Sequence, residues 1–378
     1  MTYQNAEKAY VHWMYQAAGM GGRKVLEALE KTGTPEEIYK LAVKGKLRER
    51  LAGKYGRKAE RMEAEACSCS VHDIQEAYRK MTDRGISFVT LREQEYPKRL
   101  AAVPDAPYGL YYVGRLPEEG KKSIAVIGAR NCSEYGRVMA GQFARTLAAA
   151  GVQVVSGMAR GIDGIGQQAA LDAGGYSLGV LGCGVDVCYP PENERLYGQL
   201  IEKGGICSEY PPGIAPRAML FPPRNRIISG MCDGVLVVEA KERSGTLITV
   251  DMALEQGREV YALPGRVTDP LSRGCNELIR QGAELVESPQ KFLQSLDTGF
   301  DGQISYSQME LPILDSVQGK LLQLLDFQPL SMEALRQAYR DTYGTYMTVP
   351  ELCHGLLQLC AMDYAGQVGG NYYFRKGK

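Results

Sequence analysis

The sequence predicts an α/β protein built on a doubly wound parallel sheet, with a small helical domain before it and a winged-helix domain after it. Three observations carry this reading. Between residues 121 and 295, short β-branched runs alternate with helical patterns, as strand–helix–strand crossovers require. Residues 1–75 show helical periodicity without a strand-like run. Residues 316–378 read helix, helix, helix and a short turn-containing ending, the order of a winged helix.

At 378 residues the chain has room for two or three domains. Its 44 basic and 44 acidic side chains cancel, which excludes a uniformly basic DNA coat but leaves room for a local basic groove. No apolar run reaches bilayer length, and Met1 to Asn5 carry no apolar signal segment. A cytoplasmic protein without membrane association is expected. The ten cysteines form no C-x-x-C pair, which fits free thiols in a reducing compartment. His12, His72 and His354 lie far apart, so neither a metal centre nor another cofactor is expected.

In the helical domain (1–75), a Gly-rich turn falls between residues 17 and 26, and Thr34-Pro35-Glu36-Glu37 marks a helix start. A basic run follows: Lys44, Lys46, Arg48, Arg50, Lys54, Arg57, Lys58 and Arg61, against Glu49 and Glu60. Its ordinary reading is a solvated helical face; the sharper one is an auxiliary nucleic-acid contact. The core domain (76–295) opens with a β-like run at Gly85–Leu91 and a strand at Tyr108–Gly114. Tyr96-Pro97, Val103-Pro104 and Ala106-Pro107 favour extended backbone between them. Strands are then expected at Ser123–Gly128, Val152–Gly157, Ser177–Gly182, Gly234–Glu239 and Glu259–Gly265. Helices are expected at Gly136–Ala150, Gly164–Ala173 and Thr246–Gln256. Residues 296–315, with Gly299, Gly302 and Pro312, read as a linker. The last domain (316–378) carries helices at 316–326, 331–340 and 348–361.

Glycines cluster where the strands end, the edge at which open α/β sheets bind ligands. Gly128-Ala129-Arg130-Asn131 lacks the G-x-G-x-x-G spacing of a dinucleotide site. It does place backbone amides at a helix start beside a guanidinium, which suits an anion. Ser156-Gly157-Met158-Ala159-Arg160-Gly161-Ile162-Asp163 adds a hydroxyl, an amide and a cation, with Asp163 expected to cap a helix from Gly164. Gly182-Cys183-Gly184-Val185-Asp186, Phe221-Pro222-Pro223-Arg224-Asn225-Arg226 and Arg243-Ser244-Gly245-Thr246 bring the amide-rich or cationic turns to five. Together they point to a polyanionic ligand. Tyr135, Tyr189 and Phe221 are the nearest candidates for base stacking. G-x-S-x-G, H-E-x-x-H and Walker lysine motifs are absent. Glu239 is the one carboxylate placed to act as acid or base, and a strand-end ion pair is its ordinary reading. No enzymatic activity is expected.

Taken in order, with Tyr96–Gly114, Ser208-Glu209-Tyr210 and Leu263-Pro264-Gly265, these stretches resemble the bacterial DNA-processing protein A (DprA, or Smf) family over residues 85–295. The resemblance implies an extended Rossmann-like core between a sterile-alpha-motif-like or helix-hairpin-helix-like domain and a winged helix. It implies a single-stranded DNA-binding recombination mediator that protects incoming DNA and loads RecA during natural transformation. The implied strand-binding residues are Gly128, Arg130, Ser156, Gly157, Arg160, Gly161, Arg224, Asn225 and Arg226, together with Ser244, Gly245 and Thr246. A homodimer is implied through Asn276, Ile279 and Leu285. Where some members carry a lysine after Tyr-Pro, this chain has Pro191 and Glu192, with Lys203 or Arg195 as possible compensation. The third helix of the last domain offers Glu351 and His354 but no Arg or Lys, which favours a protein contact or weak DNA binding there.

The competing reading is an enzyme, a nucleotide phosphoribohydrolase of the lysine-decarboxylase-like Rossmann type. Arg243–Thr249 echoes that family's Gly-Gly-x-Gly-Thr-x-x-Glu turn in part, but Thr249 stands at the glutamate position. A transcription regulator is disfavoured by the uncationic third helix.

Overall fold

The computed structural model describes residues 3–19, 23–51, 55–296, 298 and 316–376. They belong to two units, Met1–Asn131 with Ala140–Phe300 and Cys132–Met139 with Asp301–Lys378. Most of the expected linker, and Gly21 and Gly22 of the first turn, lie outside the described residues.

The chain begins with α1 (Tyr3–Ala18), α2 (Arg23–Thr32), α3 (Pro35–Val43), α4 (Leu47–Arg50), α5 (Gly56–Ser68) and α6 (Val71–Asp83). Thr34 and Glu37 exchange side chain–backbone hydrogen bonds at the start of α3, with Pro35 in its first turn. Ser70 and Asp73 do the same for α6, which runs past residue 75. The core then follows as β1 (Ser87–Thr90), α7 (Lys98–Ala101), β2 (Gly109–Gly114), β3 (Ser123–Ile127), α8 (Glu134–Ala149), β4 (Gln153–Ser156), α9 (Ile162–Asp172) and β5 (Ser177–Val180). It continues through α10 (Glu194–Lys203), β6 (Gly205–Ser208), α11 (Phe221–Gly230), β7 (Gly234–Val237), α12 (Gly245–Glu255), β8 (Glu259–Ala262), α13 (Arg273–Arg280), β9 (Glu284–Leu285) and α14 (Pro289–Ser295).

Among the described residues, nine strands form one sheet in the order β1-β2-β6-β5-β4-β3-β7-β8-β9. From β6 to β9 every neighbouring pair is parallel, because each connection carries a crossover helix. The expectation of a parallel sheet needs correcting at one side: β1 pairs antiparallel with β2, and β2 antiparallel with β6. Only the single turn α7 lies between β1 and β2, in a segment expected to be extended throughout. The winding reverses at β3, with β4, β5 and β6 on one side and β7, β8 and β9 on the other. The carboxyl end of such a switch point is where open α/β sheets bind ligands.

Among the described residues, two apolar clusters help to hold this unit. One joins Met14, Ile38, Met62 and Ile74 of the first helices to Phe88, Tyr111 and Ile206 of the sheet. The other packs Ala125, Ile127, Val155 and Val235 against Ile227, Val250 and Leu278 of α11, α12 and α13. His12 Nδ1 lies 2.8 Å from the Tyr111 hydroxyl, and the Gly109 N–H donates to the Tyr15 hydroxyl at 2.8 Å. These bonds satisfy polar groups on the otherwise apolar contact between α1 and β2.

The second unit contains α15 (Ser316–Leu324), β10 (Leu330–Ser331), α16 (Met332–Tyr343), α17 (Val349–Ala361), β11 (Ala365–Val368) and β12 (Tyr372–Arg375). Its strands pair antiparallel in the order β10-β12-β11. Leu321, Leu335, Leu352, Leu356 and Tyr373 form its core, and a Thr348–Glu351 capping box opens α17. Among the described residues, no helix is long and apolar enough to cross a membrane.

Candidate nucleic-acid interface

The carboxyl ends of β3 and β7 open into a cleft of about 590 Å³. Gly128 and Arg130 line it after β3, Phe221, Arg224 and Asn225 at the start of α11, and Ser244, Gly245 and Thr246 at the start of α12. Tyr189 completes an aromatic wall: its ring stacks on Phe221 with centroids 5.5 Å apart and planes 24° apart. Tyr189 is 41% exposed, so part of its ring is open to a flat ligand. The exposed Arg130 guanidinium lies 5.9 Å from the Phe221 centroid, a cation–π contact that orients the charge without neutralising it. Ser244 caps α12 by accepting from the Thr246 N–H at 3.0 Å, and the positive end of that helix faces the cleft.

A buried frame braces this wall. Arg224, 5% exposed, donates through Nη1 to the carbonyls of Gly157, at 2.9 Å, and Val180. Asp163 accepts from the Gly157 N–H at 3.1 Å. Gln167 accepts from the Met158 N–H at 3.0 Å, and Asn193 Nδ2 donates to the Met158 carbonyl at 2.9 Å and the Ala159 carbonyl at 3.2 Å. Held this way, Met158 adopts φ 53, a left-handed conformation that a branchless but bulky side chain seldom takes unaided. Gly161 sits at φ 73, and a Cβ there would strike the carbonyls of Ala129 and Arg130. The loop therefore lies directly against the Arg130 turn. Burial raises the Asp163 carboxyl and lowers the Arg224 guanidinium from their ordinary values, and the attraction between them opposes both shifts.

Seven of the twelve expected strand-binding residues line the cleft: Gly128, Arg130, Arg224, Asn225, Ser244, Gly245 and Thr246. The other five are not brought to it. The Ser156 hydroxyl, expected to be on offer, is buried and donates to the Val126 carbonyl at 2.7 Å. Gly157 and Gly161 belong to the frame. Arg226 is buried between Asp105, at 3.1 Å, and Glu209, at 2.8 Å. Burial works to lower its pKa, but the two carboxylates raise it. Arg160 is exposed and pairs with Glu192 at 3.6 Å. Asp163 does not cap a helix from Gly164, because α9 starts at Ile162 and its N-cap is Gly161. The Gly182–Asp186 turn is also engaged elsewhere: Asp186 accepts from Arg84 at 2.8 Å and from the Gly213 N–H at 2.7 Å. Tyr135 belongs to the other unit.

Ile248 and Pro216 also line the cleft and were not anticipated. Ile248 had a signal, since it lies four residues after Ser244 on one helix face; Pro216 had none. Of the expected dimer residues, Asn276 brackets Gly265, donating to its carbonyl at 3.0 Å and accepting from its N–H at 3.1 Å. Ile279 is half-buried, and Leu285 lies 43% exposed on the edge strand β9. Among the described residues, no group of three or more His, Cys, Asp or Glu is placed to hold a metal ion.

The family model of DNA recombination-mediator protein A matches residues 87–297, the span that builds the sheet and the cleft. The chain belongs to this family. It is 48% identical to Protein Smf of Escherichia coli (strain K12) over 205 residues, 54% of this chain and 55% of that protein. The match thus spans about half the length of that relative. DNA processing protein A (DprA) from Streptococcus pneumoniae is structurally similar at a TM-score of 0.54 and 35% identity, covering 74% of this chain and 98% of that one. DNA processing protein A from Helicobacter pylori, described for its single-stranded DNA binding mode, is similar at a TM-score of 0.51 and 29% identity, over 57% and 97% of the two chains.

Proposed function

We propose that the cleft binds single-stranded DNA by its phosphate backbone, and that the protein is a cytoplasmic recombination mediator that shields strands entering during natural transformation and passes them to RecA. The observation that carries this is the exposed Arg130 beside the stacked Tyr189–Phe221 pair at the switch point. A phosphate suits Arg130 and the first turn of α12, and a base suits the open face of Tyr189. Neither contact reads sequence. The family membership and the strand binding described for the Helicobacter pylori protein support the same reading. Direct contacts are assigned to Gly128, Arg130, Asn225, Ser244, Gly245 and Thr246, with Arg160 at the margin. Arg224 and Arg226 act as supports.

The reading includes a homodimer through α13 and β9, where the exposed Leu285 marks an open sheet edge. The first helices are read as a sterile-alpha-motif-like or helix-hairpin-helix-like domain, and the second unit as a winged helix. No bond-breaking step is assigned to the cleft. Asp163 is buried and committed to the Gly157 N–H, and buried Thr249 stands where a phosphoribohydrolase needs its glutamate.

The test is fluorescence anisotropy of labelled single-stranded and duplex oligonucleotides across a salt series, with the parent protein and Arg130→Ala. Single strands should bind preferentially, and the variant should lose about 0.7 from the log–log salt slope. Equal binding by Arg130→Ala at every salt concentration removes Arg130 from the interface. Absence of binding to either DNA, with release of free base from a nucleoside monophosphate, replaces this reading with the enzymatic one.

A further inference from the structure

The basic run of the first helices builds a second concave surface. Between Lys40 and Arg61 the only acids are Glu49 and Glu60, in a chain whose charges cancel overall. A groove of about 580 Å³ on α3 and α4 is lined by Lys40, Lys44, Lys46 and Arg50, with Glu37 and Glu49. Glu37 is engaged in its capping box, and Lys40 is held by Glu36 at 2.7 Å. Lys44, Lys46 and Arg50 are exposed and have no ion-pair partner among the described residues. Gly45, at φ 65, turns the chain between the two lysines, and the Lys46 N–H closes the turn onto the Leu41 carbonyl at 3.0 Å. The lysines thus project from an ordered helix terminus. Arg57 and Arg61, exposed on the adjoining α5, extend the cationic surface.

We infer that this groove is a second contact for the phosphate backbone of a long single strand whose other segment occupies the cleft. The inference rests on the strand-binding reading of the cleft. The groove's chemistry favours a polyphosphate. It has no aromatic anchor, which a protein partner would need, and no broad apolar face, which a membrane surface would need.

The test uses the full chain, as parent and as the Lys44→Ala/Lys46→Ala/Arg50→Ala variant, with one labelled strand of about 6 nucleotides, within a single-site footprint, and another of about 40. The variant should bind the short strand like the parent. It should bind the long strand at least ~10-fold more weakly at low salt, with a slope shallower by about 2. Lys44→Arg/Lys46→Arg, which keeps the charge, should bind the long strand like the parent. Unchanged long-strand affinity and slope in the triple variant overturn the inference. If the parent ignores the short strand but the triple variant still loses long-strand affinity, the cleft reading fails and the groove stands. If the parent binds neither strand, both fail.

Discussion

His12 links the first helices to the sheet, and its titration should be measurable. The ring is 2% exposed, with Nδ1 2.8 Å from the Tyr111 hydroxyl and edges turned to Tyr78, Phe88 and Tyr111. Burial lowers its pKa from 6.5 to about 4. The unfolded chain takes up a proton near pH 6.5 and the folded chain only near pH 4. The stability contributed by the neutral ring is therefore complete above the unfolded value and is lost as pH falls toward the folded one. At about 1.4 kcal/mol per pH unit, acidification from about pH 7.5 to about pH 5 should cost about 2 kcal/mol through this residue alone. The chain's single tryptophan, Trp13, is the next residue and is buried, so its fluorescence reports on this layer during urea unfolding. His12→Phe keeps the ring and removes the titration. At the higher pH the variant should be less stable by about 1 kcal/mol, for the lost Tyr111 bond. Between the two pH values it should lose about 2 kcal/mol less than the parent. Carboxylates titrate in both proteins and cancel in the comparison. Identical pH dependence of parent and variant would refute the assignment.

Arg224→Met strands the buried Gly157 and Val180 carbonyls and removes an attraction felt by the buried Asp163 carboxyl, and a loss of about 2–4 kcal/mol in chemical denaturation is expected. Adding Asp163→Asn should recover part of that loss by removing the buried charge, and a fully stable single variant would show that the frame does not depend on Arg224. Glu192→Gln acts oppositely. The Arg160–Glu192 pair is more than half exposed on both sides and contributes below about 1 kcal/mol, so thermal unfolding should not move. Freed Arg160 should steepen the single-strand salt slope by about 0.7. An unchanged slope in anisotropy titrations would place Arg160 away from the strand.

The parts of the fold that were legible are those where local pattern and tertiary role coincide. β3, β4, β5, β7 and β8 are buried on both faces, so each reads as a short continuous apolar run. β6 is equally buried, but Gly205-Ile206-Cys207-Ser208 holds too few apolar residues to stand out. The site divides along a similar line. Gly128, Arg130 and Ser244-Gly245-Thr246 act through turn geometry and helix ends, which residue type announces. The densest cationic motif, Arg224-Asn225-Arg226, misleads because charge in a sequence says nothing of its neighbours. Glu209 lies 17 residues from Arg226, and Asp105 lies 121 away. An arginine that folding buries must find such partners or lose its charge. The backbone carbonyls that hold Arg224 and the carboxylates that hold Arg226 make both tolerable inside the protein, and they take the same donors out of a ligand's reach. Arg130 is available for the converse reason. It leaves β3 at a turn that the frame supports from below, and its guanidinium rests on the Phe221 ring rather than on a carboxylate. Arg224 lies over the same ring, at 5.8 Å, so what separates a cation that can meet a phosphate from one that holds the fold is whether its donors stay exposed or are spent on buried carbonyls and carboxylates.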